Sequence, residues 1–118
     1  SADALPLSEL VQESQGLVQR ARAGKPRGED LVGGTFSISN VGRFAIESFT
    51  AIINPGQGAI LAIGTMEDEP IVIEGELGIA RVMRASLSVD HRIIDGVVGA
   101  EFLTEFKRLL ESPILLTA

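Results

Sequence analysis

The sequence predicts an α/β fold in two layers, a mixed sheet with helices on one face. Three observations predict it. Amphipathic stripes at helical spacing stand near both ends of the chain, over residues 7–21 and 98–110. Between them lie consecutive strand-like runs, some joined by tight-turn residues. One run, Ala59-Ile60-Leu61-Ala62-Ile63, is apolar at every position, as in a strand covered on both faces.

The elements follow in order. Residues 1–5 read as a lead-in. Leu7, Leu10, Val11, Ser14, Leu17, Val18 and Ala21 recur at three- and four-residue steps, one face of a packing helix. Pro6 suits its first turn, Arg20 and Arg22 favour its C-terminus, and Gly24 stops it. Gly24 to Gly34 reads as a surface connection. In Thr35-Phe36-Ser37-Ile38-Ser39-Asn40, Phe36 and Ile38 alternate with hydroxyl residues, which predicts a strand with one apolar face and one hydroxyl face. On pattern alone the hydroxyls point to solvent or to an interface. Residues 44–49 are ambiguous, and Thr50-Ala51-Ile52-Ile53 is a short apolar run closed by the turn signal Asn54-Pro55-Gly56.

Glu67-Asp68-Glu69-Pro70 reads as an exposed acidic turn; it lacks the ligand spacing of a calcium loop. Ile71-Val72-Ile73, Glu74-Gly75-Glu76 and Leu77 to Val89 read as strand, tight turn and longer strand. Val98, Phe102, Leu103, Phe106, Leu109 and Leu110 make a second amphipathic helix, with Asp95 as its N-cap and Ser112-Pro113 as its stop.

Composition narrows the function. A chain of 118 residues holds one domain with a modest core, and 45% hydrophobic residues with a mean hydropathy of +0.28 argue against disorder. Five Phe, no Trp and no Tyr leave the core to aliphatic side chains. A net charge of −6 without a basic run argues against nucleic acid and against an anionic membrane surface. No cysteine is present, so disulfides, a thiol nucleophile and thiolate metal sites are excluded. No apolar run reaches about 18 residues, so no transmembrane helix is expected. Ser1-Ala2-Asp3-Ala4 lacks the charged and apolar regions of a signal peptide.

The greatest chemical capacity lies in Asp90-His91-Arg92-Ile93-Ile94-Asp95-Gly96, which holds the one histidine of the sequence. Three roles are open to His91. With no second histidine and no cysteine, an all-protein zinc site is disfavoured. A hydrogen-bonded structural histidine is the plainest role. A general base is the third, and it needs a proton to take and a partner to hold its tautomer. Asp95 could orient the site, cap the next helix, or do both. Ser39, on the hydroxyl strand, could donate to a developing oxyanion. A serine hydrolase using Ser39, His91 and Asp95 is a further option, weakened by the absence of a Gly-x-Ser-x-Gly elbow around Ser39.

At these residues a family resemblance emerges. Asp90 to Gly96 matches the Asp-His-Arg-x-x-Asp-Gly signature of dihydrolipoamide acyltransferases, the core components of 2-oxo acid dehydrogenase complexes. Gly33 to Gly42 resembles the Gly-Gly-Thr-Phe-Thr-Ile-Ser-Asn-x-Gly segment of the same family. Ala51 to Pro55, Ala59 to Gly64 and the Arg20 to Lys25 segment continue the match in register, and Phe44 to Pro55 looks most like the acetyltransferase of the pyruvate complex.

The resemblance implies a chloramphenicol-acetyltransferase-like fold and acetyl transfer between dihydrolipoamide and coenzyme A, both as substrates, with no metal. It implies His91 as the base that deprotonates coenzyme A, Ser39 as the oxyanion donor and Asp95 as support for the site. It implies that residues 1–118 are the C-terminal part of the catalytic domain, with the lipoyl and peripheral-subunit-binding domains absent from this stretch. It further implies a homotrimer building a larger core, with Ser39 and His91 from different subunits, and the E1 and E3 components as partners through other domains. The location implied is the cytoplasm of a bacterium or the mitochondrial matrix of a eukaryote. A non-catalytic scaffolding role for an isolated fragment is the alternative.

Overall fold

The structure, a computed structural model, describes residues 1–117. The first helix, α1, spans Leu7–Arg22. Past its end, Gly24 takes a φ of +67°, Gly24 N–H donates to the Ala21 carbonyl, and Lys25 N–H donates to that of Arg20. These two bonds satisfy helix-end carbonyls, and the left-handed residue that allows them is the glycine expected as the stop. Arg20 then grips Asp30 through two hydrogen bonds, Nε–Oδ2 at 2.8 Å and an Nη–Oδ1 bond at 2.9 Å. Asp30 Oδ2 also accepts from the Arg27 backbone N–H at 2.9 Å. The connection from Gly24 to Gly34 is therefore pinned to the helix, and these donors hold the Asp30 carboxyl down at about 2.

The chain divides into two compact units, one of residues 1–34 and 101–118, the other of residues 35–100. The second contains a three-stranded mixed sheet. Strand β1 (Ser37–Asn40) pairs in parallel with β2 (Ala59–Ile73), which pairs antiparallel with β3 (Glu76–Val89). The second helix, α2, spans Gly96–Glu111. The fold is thus the mixed sheet with helices that the sequence predicts.

Register sorts the sheet into two faces. Ser39, Ala62 and Ser86 stand side by side, as do Ser37, Ile60 and Ser88; these lie on one face. Ile38, Leu61 and Leu87 lie on the other, with Ala59 beside Val89. Gly99 in the first turns of α2 lies against Leu87 and Val89, and so covers that second face. The first face is covered by the segment 46–57. Its Ile46 carbonyl accepts from Thr65 N–H at 2.8 Å, its Ala51 carbonyl accepts from Ser88 Oγ at 2.9 Å, and Asn54 and Gln57 bond Ser37 Oγ at 2.7 and 2.6 Å. One loop is therefore tied to all three strands.

This double cover explains why Ala59, Ile60, Leu61 and Ala62 are the buried apolar residues, Leu61 being 1% exposed. It also explains Gly64: a Cβ there would stand 2.1 Å from the Glu47 carbonyl oxygen, so the loop closes only over a residue with no side chain.

The hydroxyls of Ser37 and Ser39 are half-buried beneath the 46–57 segment, and Ile38 on the edge strand is 63% exposed. The short apolar run 50–53 passes over that hydroxyl face as a covering loop. One expectation changes: Glu67-Asp68-Glu69-Pro70 is not a turn. It lies inside β2, opposite Val82, Arg81, Ala80 and Ile79. Beyond Ile63 that strand has no partner on its other side among the described residues, so Pro70 costs no ladder bond there, and charges on an open edge are favourable. The turn lies at Glu74-Gly75, with φ values of +50° and +82°, the left-handed pair that a two-residue hairpin requires.

Candidate active site

His91 belongs to the turn that leaves the end of β3. Asp90 builds this turn. Its N–H donates to the Gly58 carbonyl at 2.8 Å, and its own carbonyl accepts from Ile93 N–H and Ile94 N–H at 3.0 and 2.9 Å. Its carboxylate accepts from the Arg92 backbone N–H at 3.0 Å and from the Arg92 guanidinium, with a shortest contact of 2.7 Å. Bonding to Arg92 holds the Asp90 carboxyl down at about 2, so it is ionised at neutral pH. Between these engaged residues His91 is exposed, and among the described residues its imidazole has no hydrogen bond or ion pair. The structural role, a histidine satisfied inside a core, is therefore not the one adopted.

Asp95 is the N-cap of α2. Its Oδ1 accepts from Val98 N–H at 2.9 Å, and its carbonyl accepts from Gly99 N–H at 3.1 Å. This is the capping geometry that the sequence suggests, and it fixes where the turn carrying His91 must end. Among the described residues no hydrogen bond joins Asp95 to His91.

Ser39 sits in the middle of β1, half-buried. Its neighbour Ser37 is held by Asn54 and Gln57, whereas Ser39 Oγ has no partner among the described residues. It is a polar donor on a covered face, left unengaged.

The structure does not bring Ser39 and His91 of one chain together. Ser39 is level with Ala62 and Ser86, two strand spacings or about 10 Å from β3. From Ser86 the strand runs about 10 Å further to Val89 before the chain turns toward His91. A Ser39–His91–Asp95 triad is thus not assembled within one chain. Among the described residues no group of three or more His, Asp or Glu side chains is placed to hold a metal ion.

Residues 1–118 match the model of the 2-oxoacid dehydrogenases acyltransferase (catalytic domain) family. The chain belongs to this family. A Rickettsia bellii relative, the dihydrolipoyllysine-residue acetyltransferase component of a pyruvate dehydrogenase complex, is 45% identical over 116 residues, covering 98% of this chain and 28% of that protein. Azotobacter vinelandii dihydrolipoamide acetyltransferase is 31% identical, with a TM-score of 0.89 over 98% of this chain and 48% of that one. A chain from the cubic core of the pyruvate dehydrogenase multienzyme complex is 30% identical with a TM-score of 0.89, again over 98% and 48%. The chain therefore spans about half of these solved catalytic cores and about a quarter of the curated relative.

Three residues at this site escape the sequence reading: Gly58, Gly64 and Gln57. The first two carry a signal, since a glycine bordering a buried strand marks close backbone approach. Gln57 carries none, because its partner Ser37 lies twenty positions away.

Proposed function

We propose that this chain supplies the histidine and the serine of an acetyltransferase that moves an acetyl group between dihydrolipoamide and coenzyme A. The observation that carries this reading is the state of His91: an exposed imidazole, unpaired among the described residues, on a turn whose other polar groups are engaged. Spacing supports it. A crystallographic and enzymatic study of the Azotobacter vinelandii enzyme addresses the catalytic roles of a serine, a histidine and an asparagine, the serine 52 positions before the histidine and the asparagine four after it. Here Ser39 and Asp95 stand at those same spacings from His91. Asp and Asn cap helices equally well, so Asp95 serves through its cap of α2, a role that does not depend on its charge.

The chemistry needs no covalent enzyme intermediate. A neutral imidazole accepts the thiol proton of coenzyme A. The thiolate attacks the thioester carbonyl of acetyl-lipoamide, and the tetrahedral oxyanion accepts a hydrogen bond from Ser39. Collapse expels the dihydrolipoamide thiolate, which takes the proton back from the imidazolium, leaving acetyl-coenzyme A.

We place the working site between subunits, His91 from one and Ser39 from its neighbour. The separation of the two residues by the sheet register supports this, as does the likeness to a chain of a cubic multienzyme core. A homotrimer is the smallest ring that repeats such an interface three times. In this reading residues 1–118 are the C-terminal part of the catalytic domain, and lipoyl groups and the E1 and E3 components are met through other domains. An acetyl-transfer assay with dihydrolipoamide on the assembled protein tests the proposal. His91→Ala is expected to cut turnover about a hundredfold to ten-thousandfold. Unchanged turnover would contradict it.

A further inference from the structure

We infer that Asp90, in a turn clasped to the Gly58 carbonyl, positions His91 for proton transfer, making Asp90 a positioning residue of the reaction. The inference rests on the reading of His91 as the base. The clasp has two points. The first is the bond from Asp90 N–H to the Gly58 carbonyl, which anchors the turn to the start of β2 at 2.8 Å. The second is packing. The side-chain tips Ile93 Cδ1 and Ile94 Cδ1 lie over Gly58, 2.7 and 3.5 Å from where a Cβ would stand. Ile93 and Ile94 are themselves held by their N–H bonds to the Asp90 carbonyl. The Asp90 carboxylate closes the other side by accepting from Arg92 N–H.

His91 thus lies inside a loop fastened at Asp90, Arg92, Ile93 and Ile94, and it needs no bond of its own to hold its backbone. Proton transfer demands placement within hydrogen-bond reach, and misplacement by about 1 Å can cost about a hundredfold. A seat that fixes the backbone while leaving the imidazole free meets that demand.

The test compares three variants of the assembled protein: Asp90→Asn, Asp90→Ala and His91→Ala, each checked for assembly size and melting. Asp90→Asn keeps an oxygen that accepts from Arg92 N–H and loses the ion pair; it is expected to retain kcat within about threefold. Asp90→Ala is expected to lose about ten- to a hundredfold in kcat, with KM for coenzyme A within about twofold and assembly intact. The His91 Cε1–H resonance should shift in Asp90→Ala and hold its position in Asp90→Asn. If His91→Ala is inactive while Asp90→Ala keeps full kcat, or if Asp90→Asn and Asp90→Ala have equal kcat, the clasp is overturned and the base reading stands. If His91→Ala is itself fully active, the base reading fails first.

Discussion

The two ends of the long β2–β3 hairpin differ sharply although the same two strands build both. At the Ala59–Ile63 end a third strand pairs alongside, the 46–57 segment crosses one face and the first turns of α2 cover the other. At the Met66–Val82 end the strands form a two-stranded ribbon, and Val72, Leu77 and Ile79 are 72%, 81% and 77% exposed. Both candidate chemical residues belong to the covered end: Ser39 on its third strand and His91 on the turn that leaves it. Covering gives the rigidity a site needs, and the ribbon contributes none of it.

The first way to break this comparison is Leu61→Ala. Emptying this largest of the fully buried side chains is expected to cost about 3 kcal/mol, read from a denaturant midpoint at unchanged slope. Leu77→Ala should cost under about 0.5 kcal/mol if the ribbon stays uncovered; a loss near that of Leu61→Ala would mean that the ribbon is covered in the assembly.

Gly64→Ala comes next. Its Cβ meets backbone rather than a yielding side-chain tip, so the 46–57 segment must lift, at an expected cost of about 1–3 kcal/mol. Faster amide exchange at Thr65 would mark the lost bond to Ile46. Ser88→Ala should cost about 1 kcal/mol, since it leaves the Ala51 carbonyl without that half-buried donor.

The smallest effect sharpens the picture by pH. Asp30 and Asp90 are held at about 2 against an ordinary 3.8. A depressed carboxylate stabilises the fold fully above its unfolded value and loses that contribution as pH falls through the folded one. Melting temperature should therefore decline between about pH 4 and pH 2. Asp30→Asn should flatten the decline without touching turnover, whereas a decline of unchanged steepness would deny the Arg20–Asp30 pair its role.

The parts of this arrangement that were legible in the sequence are the local ones. The unbroken apolar run at Ala59–Ile63 declared a strand covered on both faces, the Glu74-Gly75 pair declared its hairpin, and Asp95 declared its helix cap. What was not legible depends on distant partners. Glu67 to Pro70 looks like a turn by composition, yet pairing with residues 79–82 makes it strand. The path of the 46–57 segment depends on the space above Gly64 and on hydroxyls at Ser37 and Ser88, none of them near it in sequence. Ser39 and His91 were both legible as chemistry. Their separation within one chain followed from the family resemblance and not from the residues themselves, because strand order and register decide it.

The most direct test of the shared site is complementation. Ser39→Ala and His91→Ala are each expected to be nearly inactive alone. Co-expressed in equal amounts, they should assemble into mixed oligomers in which about a quarter of the interfaces join an intact His91 to an intact Ser39, restoring about a quarter of wild-type turnover. Turnover no greater than the average of the two single variants would contradict a site shared between subunits.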